Sequence, residues 1–148
     1  MKKCQLASVL FLVLIISSYN SYAQSDSPIL GVWYNTEKTA QIQIMNNGDQ
    51  YLGKIIWLDN PDKDGAPILD NANEKKELRS RPVMGLTILE GLKYEDGIWK
   101  NGKIYDPNSG KTYSCEVKLK GKEKLEVKGY LGFSWLGKTV EWTKVENK

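Results

Sequence analysis

Gly102-Lys103-Ile104-Tyr105-Asp106-Pro107-Asn108-Ser109-Gly110-Lys111-Thr112-Tyr113 reads as strand, tight turn, strand. Pro107 pre-sets the backbone angle at the first corner, and Asn108, Ser109 and Gly110 accept or supply the rest. Asp106, Pro107 and Gly110 are therefore read as turn architecture, the Asp106 carboxylate accepting N–H bonds from Asn108 or Ser109. The hairpin sits mid-chain, and the other strands are expected to extend it as one meandering sheet.

Downstream, Thr112 to Leu119 alternates, with Tyr113, Cys115, Val117 and Leu119 on one face and Ser114, Glu116 and Lys118 on the other. Leu125 to Leu131 follows with Leu125 and Val127 inward, then a Gly-flanked link from Gly132 to Gly137, then a last strand from Thr139 to Val145. Upstream, Ile98 to Tyr105 bends at Asn101-Gly102, and Val83 to Tyr94 precedes it across Glu95-Asp96-Gly97. Ala40 to Met45 alternates strictly, turns at Asn46-Asn47-Gly48-Asp49, and returns through Gln50 to Asp59, whose Ile55-Ile56-Trp57-Leu58 is too apolar to divide into faces. Ile29 to Tyr34 supplies the first strand. Asn60 to Pro82 breaks the pattern as a long polar connection, with one helical turn expected around Glu74 to Leu78. About eight strands with turn signals at near-regular spacing predict an all-β fold, a single up-and-down antiparallel β-barrel without exposed edges. A barrel of that size is filled by side chains or holds one small ligand.

The first 23 residues stand apart. Lys2 and Lys3, an apolar run from Leu6 to Ile16, and Ser21-Tyr22-Ala23 make a secretory signal peptide with cleavage after Ala23. The run is short of the ~20 residues that span a bilayer, so no transmembrane segment is expected after processing. The rest, 24–148, is read as one β-barrel domain, exported to the periplasm or secreted. Without Lys2 and Lys3 the chain carries 19 basic against 18 acidic residues, a net +1 that gives no argument for nucleic acid. Only Cys115 survives processing, so no internal disulfide forms. The chain has no histidine, which excludes Ser-His-Asp and Cys-His catalysis and histidine metal or haem sites.

The chain resembles the bacterial domain-of-unknown-function 2147 family of exported proteins. The resemblance rests on Gly31-Val32-Trp33, Gly53-Lys54-Ile55, Arg79-Ser80-Arg81-Pro82 with Gly85-Leu86, Gly102 with Asp106-Pro107 and Gly110-Lys111-Thr112-Tyr113, Gly129-Tyr130-Leu131-Gly132, and Trp142-Thr143. It implies a lipocalin/calycin-like barrel and no particular activity. In lipocalins the tryptophan corresponding to Trp33 packs across the closed end under an arginine of the last strand. Here that strand offers Lys138 and Lys144.

Other motifs carry little. Asn60 to Asn71 matches the first half of a calcium loop, but Asn71 stands where a bidentate Glu is needed. Gly110-Lys111-Thr112 lacks the first glycine of a phosphate loop, with Tyr105 in its place, and lies in a hairpin. No metal or cofactor is expected. Arg81 is read either as a clamp for a carboxylate or phosphate, or as a pin for the long connection through an internal acid such as Asp70. Asp106 has a second reading, as a polar group at the barrel mouth.

Three functional readings follow. The first is a non-enzymatic binder of a small, mostly apolar ligand, held by Trp33, Tyr113 and Trp142, with Arg81 or Tyr105 as polar anchors. The second is an interaction module with a filled barrel, working through the 60–82 loop and the 132–137 link, whose Phe133 and Trp135 form a contact surface or fold back as a plug. An enzyme comes last, because no carboxylate pair or nucleophile–base set is placed by motif. Cys115 is read as a small buried hydrophobe.

Overall fold

The computed structural model describes residues 27–146. The expected signal peptide lies outside them. Ten strands follow in order: β1 (Gly31–Tyr34), β2 (Ala40–Asn47), β3 (Gln50–Leu58), β4 (Asp62–Lys63), β5 (Ala66–Pro67), β6 (Thr87–Glu95), β7 (Ile98–Asp106), β8 (Lys111–Lys120), β9 (Lys124–Tyr130) and β10 (Lys138–Lys144). Eight of them close an antiparallel barrel in the order β1-β10-β9-β8-β7-β6-β3-β2, and β4 and β5 form a separate small hairpin. Closure is made by Trp33 opposite Lys144 and Tyr34 opposite Thr143. The predicted up-and-down barrel is therefore the fold. Single 3-10 turns lie at Lys76–Leu78 and Ser134–Leu136. Among the described residues no helix is long and apolar enough to cross a membrane.

Side-chain alternation explains the interior. Cys115 and Val117 of β8, Leu125 and Val127 of β9, and Trp142 of β10 are buried, while Glu116 and Glu126 between them are half-buried and the neighbouring Lys118 and Glu141 exposed. With Trp33, Ile42, Ile44, Tyr51, Ile55, Leu89, Leu92 and Trp99 they form one contiguous core. The packing leaves no room even for a methyl group at Gly102, where a Cβ would come 2.6 Å from Leu92 Cδ2.

Two bulges settle what alternation leaves open. Ile42 pairs with Ile55 but Gln41 with Trp57, so Ile56 is an extra residue and Trp57 turns to the outer face. There it meets Tyr34 edge-on, ring centroids 6.1 Å apart. On β7, Trp99 pairs with Val117 and Gly102 with Cys115, and Asn101 takes a φ of 63° at the bend expected there.

The alternation of strand direction sorts the connections between two ends. The 48–49, 96–97 and 121–123 turns lie at one end with Ile29. Trp33 Nε1 donates to Ile29 O at 2.8 Å. Lys144 Nζ of the last strand stands 5.2 Å from the Trp33 ring centroid, a cation over the aromatic face. The opposite end carries the 35–39, 59–86, 107–110 and 131–137 connections.

The strand after the long connection begins at Thr87 rather than Val83. Residues 83–86 instead close a tight turn, with Leu86 N donating to Val83 O and Ile55 pairing through Gly85 N and Leu86 O. The apolar Val83 and Leu86 that suggested strand are buried as part of this turn.

Candidate functional site

The 59–86 connection is folded rather than open. Val83 N donates to Ile68 O, Asp70 N donates to Arg81 O, and Leu69 bridges Pro82. Its middle is fixed by one carboxylate. Asp70 is fully buried and accepts from Tyr105 Oη, from Asn73 Nδ2 at 2.8 Å, and from Arg81 Nε at 2.9 Å and Nη2 at 2.8 Å. Arg81 also lies over the Tyr105 ring, 5.5 Å from its centroid. Asn73 is held in turn, its carbonyl accepting from Arg79 Nε at 2.7 Å.

The electrostatics follow from this geometry. Burial alone pushes the Asp70 carboxyl up, but the hydrogen bonds from Tyr105, Asn73 and Arg81 and the Arg81 charge outweigh it, so the net shift is downward. Burial, then the Asp70 hydrogen bond and charge, raise Tyr105. Asp70 is thus held ionised and Tyr105 protonated, and the cluster ties the connection to the end of β7. Arg81 is spent on the pin.

The turn that follows β7 has the expected architecture. Asp106 Oδ1 accepts from Asn108 N at 3.0 Å, and Asp106 Oδ2 from Ser109 Oγ at 2.7 Å. Gly110 takes a φ of +71° and lies directly against Ala72 of the long connection. Between these two walls a cleft of about 360 Å³ opens at the barrel mouth. Leu58, Ile68, Val83 and Pro107 give it apolar surface, and Thr39, Asn60, Asn71 and Asn108 add neutral polar groups. Asp59 is its one charged lining residue, and its carboxylate accepts from Asn60 Nδ2 at 3.1 Å.

The five residues expected to hold a ligand are not gathered there. Trp33 and Trp142 are buried in the barrel core. Tyr113 is half-buried on β8, and Arg81 and Tyr105 belong to the Asp70 cluster. Of the residues singled out in the sequence, Pro107 and Asn108 line the cleft from the turn, and Asn60 and Asn71 from the long connection. Phe133 and Trp135 are not a plug: they are 66% and 73% exposed. The half calcium loop of residues 60–71 contains the β4–β5 hairpin. Among the described residues no group of three or more Cys, Asp or Glu side chains is placed to hold a metal.

Cys115 is fully buried, and burial together with the neighbouring Glu116 charge pushes its thiol up to about 12. It should not react with a thiol reagent such as dithionitrobenzoate at pH 8 in the native protein, and should react fully in guanidinium. Rapid native reaction at an intact fold would show that β8 opens locally.

With this geometry in place, comparison identifies the relatives. A family model described as an uncharacterized protein conserved in bacteria, domain of unknown function 2147, matches residues 31–144. The chain belongs to this family. Domain-2147 membership spans every strand of the barrel, from Gly31 of β1 to Lys144 of β10. A solved structure, that of HP1028 from the human pathogen Helicobacter pylori, described as belonging to the lipocalin family, superposes with a TM-score of 0.68. The two are 24% identical over 80% of this chain and 83% of that one, a likeness of fold. No curated protein matches the sequence.

Proposed function

We propose that this domain-2147 protein is an exported, non-enzymatic binder of a small neutral molecule seated across the barrel mouth. The observation that carries the proposal is the 360 Å³ cleft between the pinned connection and the Asp106 turn, within the range of small-ligand sites. Its lining argues the chemistry. No lysine or arginine borders it, so it offers nothing to an anion, while the apolar surface and the neutral amides suit a mostly apolar molecule with hydroxyl or amide groups. The buried Trp33, Trp99 and Trp142 inside the barrel support a site at the rim rather than in the interior. Export rests on the three-part pattern of residues 1–23.

The test is native mass spectrometry of protein taken from its own compartment, followed by denaturation and extraction. A discrete co-purifying mass is expected. It should be lost in Asn71→Trp, which puts an indole into the cleft from an exposed wall position, and retained in Phe133→Ser/Trp135→Ser. A clean apo mass with no uptake from an envelope extract would end the binding proposal. Loss in Tyr113→Ala but not in Asn71→Trp would move the site into the barrel.

A further inference from the structure

The 131–137 link has no role in the fold that accounts for its side chains. Leu131, Phe133, Trp135 and Leu136 are each 65–73% exposed within six residues. Phe133 and Trp135 stack on one another, ring centroids 5.9 Å apart and planes 22° apart, rather than on the barrel. The 3-10 turn at Ser134–Leu136 holds them in place, and Gly137 packs so closely on Gly129 O that a Cβ there would come within 2.7 Å of it. The patch is therefore a built projection, rigid at its base and apolar at its tip.

Its charge surroundings indicate what it meets. Along the sequence no carboxylate occurs between Glu126 and Glu141. Lys138, next to the link, is exposed, whereas Lys128 is a quarter exposed and is paired with Glu116 across the ladder at 3.7 Å. A tryptophan and a phenylalanine beside leucines, with the exposed Lys138 at their base, match the depth profile of a membrane interface. Aromatic rings sit there at headgroup level, and lysine stems let the ammonium groups reach anionic lipid. A stable protein interface needs about 800 Å² on each partner, more than one six-residue tip presents.

We infer that the Leu131–Leu136 link is a membrane-surface anchor, inserting Phe133 and Trp135 into the headgroup region of a bilayer with Lys138 beside the phosphates. The link shares the barrel end with the mouth cleft, so docking turns that mouth towards the bilayer.

The experiment is co-sedimentation of the protein processed after Ala23 with vesicles of phosphatidylcholine and phosphatidylglycerol, comparing wild type with Phe133→Ser/Trp135→Ser. The apolar run Leu6–Ile16 behind Lys2 and Lys3 would itself carry either chain to the vesicles and is left out. Binding should fall about tenfold or more in the variant. Tryptophan fluorescence should be quenched by brominated lipids in wild type and not in Trp135→Ser, because Trp135 is exposed, Trp57 is half-buried on the barrel side, and Trp33, Trp99 and Trp142 are buried. Equal binding of both chains, or absent quenching, would overturn the inference. So would a wild-type dimer in sedimentation velocity that the double substitution abolishes without any vesicle binding. Cleft occupancy is read separately by the co-purifying mass, so either proposal can fail alone.

Discussion

Asp70→Ala is expected to destabilise the protein by about 3 kcal/mol, the lower part of the range for breaking a buried charged pair. Three donors lose their acceptor. Asn73, almost fully buried, and Tyr105 are left without it, each at a cost of about 1–3 kcal/mol, while Arg81 recovers part of its loss by hydration because its side chain is one-third exposed. For a domain of this size the thermal midpoint should drop by roughly 10 °C. Asp70→Asn keeps the shape and removes the charge, and should cost less. The pH dependence has a definite sign at each end. The Asp70 carboxyl lies below its ordinary 3.8 in the folded state, so its contribution is present above that value and is lost as pH falls through the folded one. Tyr105 lies above its ordinary 10, so its contribution is present below 10 and is lost as pH rises through the folded value. Asp70→Ala should remove the acid-side loss and reduce the alkaline one, because burial still raises Tyr105 without Asp70. Chemical denaturation at pH 3, 7 and 10.5 measures this, and an unchanged profile would show that the cluster does not hold the connection.

That cluster marks the limit of what the sequence reveals. The barrel was legible because strands have a period of two. Thr112 to Leu119 and Ala40 to Met45 each announce a buried face without any knowledge of their partners. The turn at Asp106 was legible because its chemistry is local, acting between residues two to four apart. Arg81 was a partial reading. Pairing with Asp70 was one of two options, but Tyr105 and Asn73, the other donors, arrive from 35 and three residues away, and nothing in their spacing predicts convergence. The mouth cleft was legible only in pieces. Asn60 to Asn71 stood out as half a calcium loop and Asn108 as a turn residue, but the lining comes from the ends of separate connections, and nothing in the sequence says that they meet. Aromatic content is ambiguous, because tryptophan serves both as a core residue and as a ligand wall, and Trp33 and Trp142 are buried in the core. The same ambiguity ran the other way for Phe133 and Trp135, whose glycine-flanked setting allowed exposure without requiring it.

Gly110→Ala tests the second joint of the mouth, and its effect should differ in kind from that of Asp70→Ala. The Cβ would stand 1.8 Å from Ala72 O, and the obstacle is backbone, not a side chain that can swing away. The φ of +71° adds about 1–2 kcal/mol for any residue with a Cβ. The turn cannot relax freely, because Asp106 O accepts from Gly110 N at 2.8 Å while the Asp106 carboxylate holds Asn108 and Ser109. Ala72 must therefore move, and with it Asn73, the donor that links the cleft wall to the Asp70 cluster. The expected total is about 3 kcal/mol, near the upper end of ordinary single substitutions. The loss should be local. Amide exchange should speed up across residues 68–83, while β8 and β9, held by a continuous ladder from Ser114–Tyr130 to Lys120–Lys124, keep their protection. Because Asn71 and Ala72 form one wall of the cleft and Pro107 and Asn108 the other, any mass bound at the mouth should be lost with it. Ser109→Ala, which removes only the hydroxyl bond to Asp106, should cost about 1 kcal/mol and leave exchange in 68–83 unchanged. If Gly110→Ala leaves stability and exchange as in wild type, the long connection does not rest on the turn. If exchange rises throughout the barrel instead, the mouth and the core unfold as one unit, and the connection is part of the fold's cooperative core rather than a wall added to it.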